Sequence, residues 1–381
     1  MKKVTFTSRE RVIIALDHKV PDRVPIDFGG VHTSLHECAH DNLMKFLGFN
    51  GKKAKIQEIL QQIVYPDERI LEMFQADVVG VYPKPPSFWK LEIDPNKDEF
   101  VDEWGSKWAK PKGGFFYDLK EPAMKNFTLE DLKKYEFPNP SDSGRVKELR
   151  DEVLNLYNNT DKAIIMYNAT VGFWENLWYL RGFEQAYMDL ASNLNFVELL
   201  FEKLLWWNKS FWKNVLKEVG DLINIVEISD DLGTQLGPMF NPNLYRSLLK
   251  PLHKELVNFI KANTKAKIYI HSCGSVAWAI PDLIECGIDI LNPVQINAYD
   301  MDSKMLKDKF GNKISFWGGG CDPRILLNGS PAQVREEVKK RIADFSPGGG
   351  FIFASVHNIQ ANTPPENIVA MYETAKEYGV Y

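Results

Sequence analysis

The chain has 381 residues, 44% apolar and 25% charged, which suits a globular protein with one large core. A formal net charge of −5 speaks against a nucleic-acid partner, which needs a basic stripe, and no apolar run reaches the ~18 residues of a membrane span. The basic opening MKKVTFTSRERV has no apolar segment behind it, and four cysteines are too few for a disulfide scaffold. The expected location is therefore the cytoplasm, with thiols that are free, catalytic or metal-bound.

Taken in chain order, eight short runs rich in β-branched and aromatic residues stand out: 23–28, 76–82, 163–168, 223–228, 267–271, 288–294, 313–317 and 351–356. Most lack strict polar alternation, as strands buried on both faces do. Helical spacing follows most of them, at 57–74, 177–219, 244–262, 277–286, 332–345 and 365–378. The last begins with Pro364-Pro365-Glu366, a good helix start. This alternation predicts an α/β fold, a (β/α)8 TIM barrel spanning 1–381 as a single domain, in preference to an open doubly wound sheet. Residues 83–122 interrupt the pattern with short strands and tight turns. They predict a β-hairpin insertion after strand 2, read equally as a surface excursion or as a lid bringing Trp89, Trp104 and Phe116 over the rim.

Strand ends of a barrel face one common site. The fourth run ends in Glu227-Ile228-Ser229-Asp230-Asp231, the fifth in His271-Ser272-Cys273-Gly274, and the sixth runs into Asn292-Pro293-Val294-Gln295. The seventh ends in Gly318-Gly319-Gly320-Cys321-Asp322 and the eighth in His357-Asn358-Ile359-Gln360. His271 and Cys273, two apart on extended chain, can point the same way and hold Zn²⁺. Cys321, His357 or Glu227 could supply a further ligand. Against this stands a hydrogen-bonded histidine beside a small buried thiol.

Asp231 and Glu227, with His357, are the candidate acid–base groups, although an aspartate here could equally cap a helix. His32, Trp174, Gln295 and Asn358 are candidate substrate contacts. His32, His36 and His40 share helical spacing, and the favoured reading is a solvated helix face with His32 near the rim. The triplet Gly318–Gly320 does not continue as a phosphate-loop pattern. Trp206, Trp207 and Trp212 read as core or subunit contacts, the latter compatible with a homodimer.

Several pieces in order resemble the uroporphyrinogen decarboxylase superfamily: Ser8-Arg9-Glu10-Arg11-Val12, Asp22-Arg23-Val24-Pro25, Trp174-Glu175-Asn176, Gly182-Phe183-Glu184, Asp231-Leu232-Gly233, His357, and Thr363-Pro364-Pro365-Glu366-Asn367. The resemblance implies a (β/α)8 barrel. True decarboxylases carry arginines after strand one, where this chain has Asp27-Phe28-Gly29-Gly30-Val31-His32-Thr33. They carry an aspartate after strand two, where it has Tyr82-Pro83-Lys84. The chain is therefore not expected to decarboxylate uroporphyrinogen.

The other branch of the superfamily consists of zinc-dependent methyltransferases with His-X-Cys at the fifth strand, matched by His271 and Cys273. Their third ligand is a cysteine after strand eight, where this chain has Ser355-Val356-His357, so His357 or Cys321 must serve. The resemblance implies methyl transfer between a small-molecule donor or thiol acceptor and a corrinoid (cobalamin) protein, with zinc activating one of them. An aromatic methyl ether suits Trp174, Trp317 and the insertion. The alternatives are a metal-free decarboxylase or lyase using His357 and Asp231, and a non-catalytic ligand-binding barrel.

Overall fold

The computed structural model describes residues 5–381, and residues 1–4 of the basic opening stretch lie outside them. Seven of the eight expected strands form one parallel sheet in chain order: Val78–Val81, Ala163–Met166, Ile225–Ser229, Lys267–His271, Ile290–Asn292, Ser315–Trp317 and Phe351–Ile352. Their side chains are buried almost throughout, as continuous apolar runs require.

The first run, 23–28, does not form a ladder. It closes the barrel through single contacts. Asp27 N–H donates to the Phe353 carbonyl, Phe353 N–H to the Pro25 carbonyl, and Asp77 N–H to the Ile26 carbonyl. Ile26 N–H instead goes to the Asp77 carboxylate at 2.8 Å. Pro25 has no N–H to offer, so regular pairing cannot propagate through this segment.

The insertion is larger than a hairpin. Strands Glu99–Val101, Lys107–Ala109 and Asp118–Glu121 form a three-stranded antiparallel sheet. The helix expected at 57–74 is confined to Glu68–Met73. Its first part pairs instead as Ile56–Glu58 against Ile63–Val64. The long pattern 177–219 breaks into Phe173–Arg181, Phe183–Ser192 and Leu194–Val219, with Gly182 at φ +88° between the first two. Trp207 and Trp212 are core residues, whereas Trp206 is 58% exposed. Among the described residues no helix is long and apolar enough to cross a membrane.

Candidate metal centre

The site grows from the strand Lys267–His271, whose end is paired on both sides: His271 lies in register with Ser229 and with Asn292. Asn292 Nδ2 donates to the Trp317 carbonyl at 2.9 Å, which turns its Oδ1 towards His271 Nδ1 at 2.6 Å. Oδ1 can only accept, so the proton sits on Nδ1 and the Nε2 lone pair is free. Partners of this kind orient metal-binding imidazoles. Nε2 lies 3.3 Å from Cys273 Sγ.

His357, from the end of the last strand, approaches His271 edge to face at 5.4 Å between ring centres. One donor atom each from His271, Cys273 and His357 falls within 4.8 Å of the others. Two nitrogens and a sulfur suit zinc, with room for a further ligand. Burial, with His32 and His357 adjacent, keeps His271 well below the usual imidazole range. Burial takes His357 down to about 4. Both are therefore neutral near pH 7 and able to ligate. Burial, with Asp231 and Glu175 nearby, pushes the Cys273 thiol up, so a cation is what would hold it as thiolate.

The loop carrying Cys273 is fixed by close backbone approach. A Cβ on Gly274 would lie 2.4 Å from the Gly233 carbonyl carbon, and Gly274 sits at φ +87°. This contact brings Asp231 Oδ1 within 2.7 Å of Cys273 N–H and leaves Gln295 Oε1 accepting from Gly274 N–H at 2.8 Å. Burial raises Asp231 to about 6 and Glu227 to about 7. It also raises Glu175, which accepts from Ser229 Oγ at 2.9 Å.

Of the residues singled out from sequence, His32 stacks on His271 at 3.7 Å, and its Nε2 lies 3.1 Å from Glu227 Oε1. A cleft of about 340 Å³ opens beside this pair, lined also by Gln57, Tyr82, Lys84, Arg145 and Tyr167. His36 and His40 take no part, and they are buried rather than solvated. His36 caps the helix Glu37–Phe46 through the Cys38 N–H, and His40 Nε2 receives the Asp67 N–H. Cys321 does not join the cluster. It packs in the apolar core, its thiol 3.7 Å from the Asp322 carbonyl and its charged neighbours Glu337 and Arg341 on the outer helix Pro331–Phe345.

Trp174 is wholly buried against Tyr187 and Phe240, a core residue rather than a substrate wall. Asn358 is buried with its side-chain oxygen unpartnered. Gly318–Gly320 form no phosphate cradle, because Cβ atoms at Gly318 and Gly320 would strike the carbonyls of Pro293 and Ala354. Asn292 and Glu175 stand in segments already singled out, the end of the sixth run and Trp174-Glu175-Asn176, but neither is named there as a site residue, and Asn168 and Tyr167 have no sequence signal of their own. Their roles come from register.

A family model described as "Uroporphyrinogen decarboxylase (URO-D)" matches residues 115–378. A uroporphyrinogen decarboxylase of Ruthia magnifica subsp. Calyptogena magnifica is 23% identical over 283 residues, 70% of this chain and 75% of that protein. Another, of Actinobacillus succinogenes, is 37% identical over 136 residues, 34% of this chain and 36% of that one. Among solved structures, a methyltransferase from Methanosarcina mazei shares the fold with a TM-score of 0.64. It is 17% identical, with 98% of this chain and 99% of that chain covered.

Proposed function

We propose that this chain, which belongs to the uroporphyrinogen decarboxylase family, is a zinc-dependent methyltransferase exchanging a methyl group between a small molecule and a corrinoid protein. The observation that carries this reading is the convergence of His271, Cys273 and His357, with His271 Nε2 and the Cys273 thiol turned to one point. Zinc held there would supply Lewis-acid activation, holding a thiol as thiolate or polarising an ether oxygen.

The chain's own residues do the rest. Asn292 fixes the His271 tautomer. Asp231 anchors the Cys273 amide and so the direction of its side chain. Glu227, near pH 7 by its own burial, holds or releases a proton at His32. The cations that line the cleft are engaged: Arg145 is paired with Glu103, and Lys84 with Glu148 at 3.0 Å. That leaves the carboxylates of uroporphyrinogen without free partners, and burying unpaired carboxylates is costly.

The curated relatives are named decarboxylases, which favours a second reading, a lyase; in this chain its acid and base would be His357 and Asp231, with no metal. With His357 near 4 and Asp231 near 6, neither holds a proton to donate at pH 7. Metal analysis of freshly purified protein, followed by incubation with a corrinoid protein and candidate methyl donors, separates the two. About one zinc per chain is expected of a single site. A metal-free protein that takes up no zinc overturns the methyltransferase reading.

A further inference from the structure

The insertion helps to build a second cavity beside the cleft at His32 and Glu227, of about 220 Å³, walled by Trp89, Phe100, Trp104, Trp108, Tyr179 and Leu60. It shares Glu58, Glu103, Ala169, Thr170 and Val171 with the cleft that contains His32 and Glu227, so the two adjoin along one wall. The walls are held in place. Trp108 Nε1 donates to Asp102 Oδ2 at 2.8 Å, and Trp89 Nε1 to the Val101 carbonyl at 3.2 Å. Trp108 packs edge to face on Tyr179 at 5.1 Å, and Trp104 rests on Trp207.

Size and charge narrow the occupant. An apolar cavity of about 150 Å³ holds benzene, and drug-sized ligands need about 300 Å³ or more. The space here fits one substituted ring and is too small for a tetrapyrrole. The charged groups on its wall are Glu58, Asp102 and Glu103, with no lysine or arginine among them. Their oxygens are already engaged. Glu58 accepts from the N–H groups of Leu60 and Gln61, Asp102 from those of Trp104 and Ser106 and from the Trp108 indole, and Glu103 pairs with Arg145. An anion would meet like charge there, and a cation would find no carboxylate free to bond it.

We propose that this aromatic pocket binds the uncharged ring of the methyl donor and rejects the same ring bearing a carboxylate. The pocket's role in catalysis rests on the methyl-transfer reading; its selectivity does not. The test is calorimetric titration of the protein, after incubation with zinc, with 2-methoxyphenol, 4-hydroxy-3-methoxybenzoate and tetramethylammonium.

Binding of 2-methoxyphenol about tenfold or more tighter than the benzoate, and tighter than tetramethylammonium, is the expected result. Trp89→Ala should weaken it about two- to tenfold, the worth of one aromatic contact, and Ala169→Phe, which fills the shared wall, should abolish it. Both positions are half-buried, and circular dichroism reports whether each variant folds. If Ala169→Phe does not, Trp89→Ala decides. Equal or tighter binding of the benzoate or of tetramethylammonium, or affinity unchanged in the variants, overturns the pocket while leaving zinc binding intact. Selective ring binding by a protein that takes up no zinc overturns methyl transfer and leaves the pocket standing.

Discussion

At the N-terminal end of the barrel, Asp77 is fully buried between two arginines. Arg11 Nη1 lies 2.7 Å from it and Arg23 Nη1 2.6 Å, and Arg11 also grips Asp22 at 2.7 Å. Even against the cost of burial, those bonds hold Asp22 below its usual carboxyl range. At the C-terminal rim, Glu227 and Glu175 are also buried and Asp231 is half-buried, but their partners are amides, a hydroxyl and one neutral imidazole, and burial raises all three. A charge cluster that is complete holds a fold together. One that lacks its cation is poised for a ligand, and strained carboxyls gather at functional sites for that reason.

The largest effect expected from breaking this contrast is at the paired end. Asp77→Ala leaves Arg11 and Arg23 without their shared partner, and should cost about 3–5 kcal/mol in urea unfolding. Zinc bound per folded chain should not change. A cost below about 1 kcal/mol would show that the paired cluster is not what closes the barrel.

At the rim, removing zinc with a chelator should lower stability by about 2.7 kcal/mol when free metal had stood at 100 times its Kd. His271→Ala and Cys273→Ala should be insensitive to the chelator. A variant that still responds to it would place the metal elsewhere.

Glu227 offers a pH test in metal-free protein. Its folded value, about 7, lies above the ordinary 4.5, so the folded state resists ionisation. Stability should therefore fall as pH rises from 4.5 to about 7 and stay low above that, by at most about 3 kcal/mol. Glu227→Gln should flatten that slope and be the more stable protein at pH 8. Parallel pH profiles for the two proteins would refute the assignment.

The smallest effect belongs to Cys321→Ala, at about 1 kcal/mol for a small core truncation, with zinc retained in full. Loss of metal in this variant would reinstate Cys321 as a ligand.

Much of this was legible in the chain. Eight apolar runs alternating with helical patterns specify a barrel because a buried parallel strand has no polar face to show. His271 and Cys273 could be paired from spacing alone, since residues two apart on extended chain project to the same side. Side-chain spacing failed where the chain leaves regular structure. His32, His36 and His40 have the spacing of one helix face, yet the helix begins only at Glu37, with His36 as its cap. That frees His32 to lie on His271.

Spacing is thus what the sequence determined by itself: which residues share a strand, a face or a strand end. Tertiary structure alone decided which of the candidates meet. Gly318 and Gly319, at φ +109° and +69°, turn the chain so that Cys321 packs into the core, whereas His357 stays on the rim facing His271. Asn292 reaches His271 only because the two strands pair in that register. Both outcomes depend on backbone contacts between segments distant in sequence, and no local pattern encodes those.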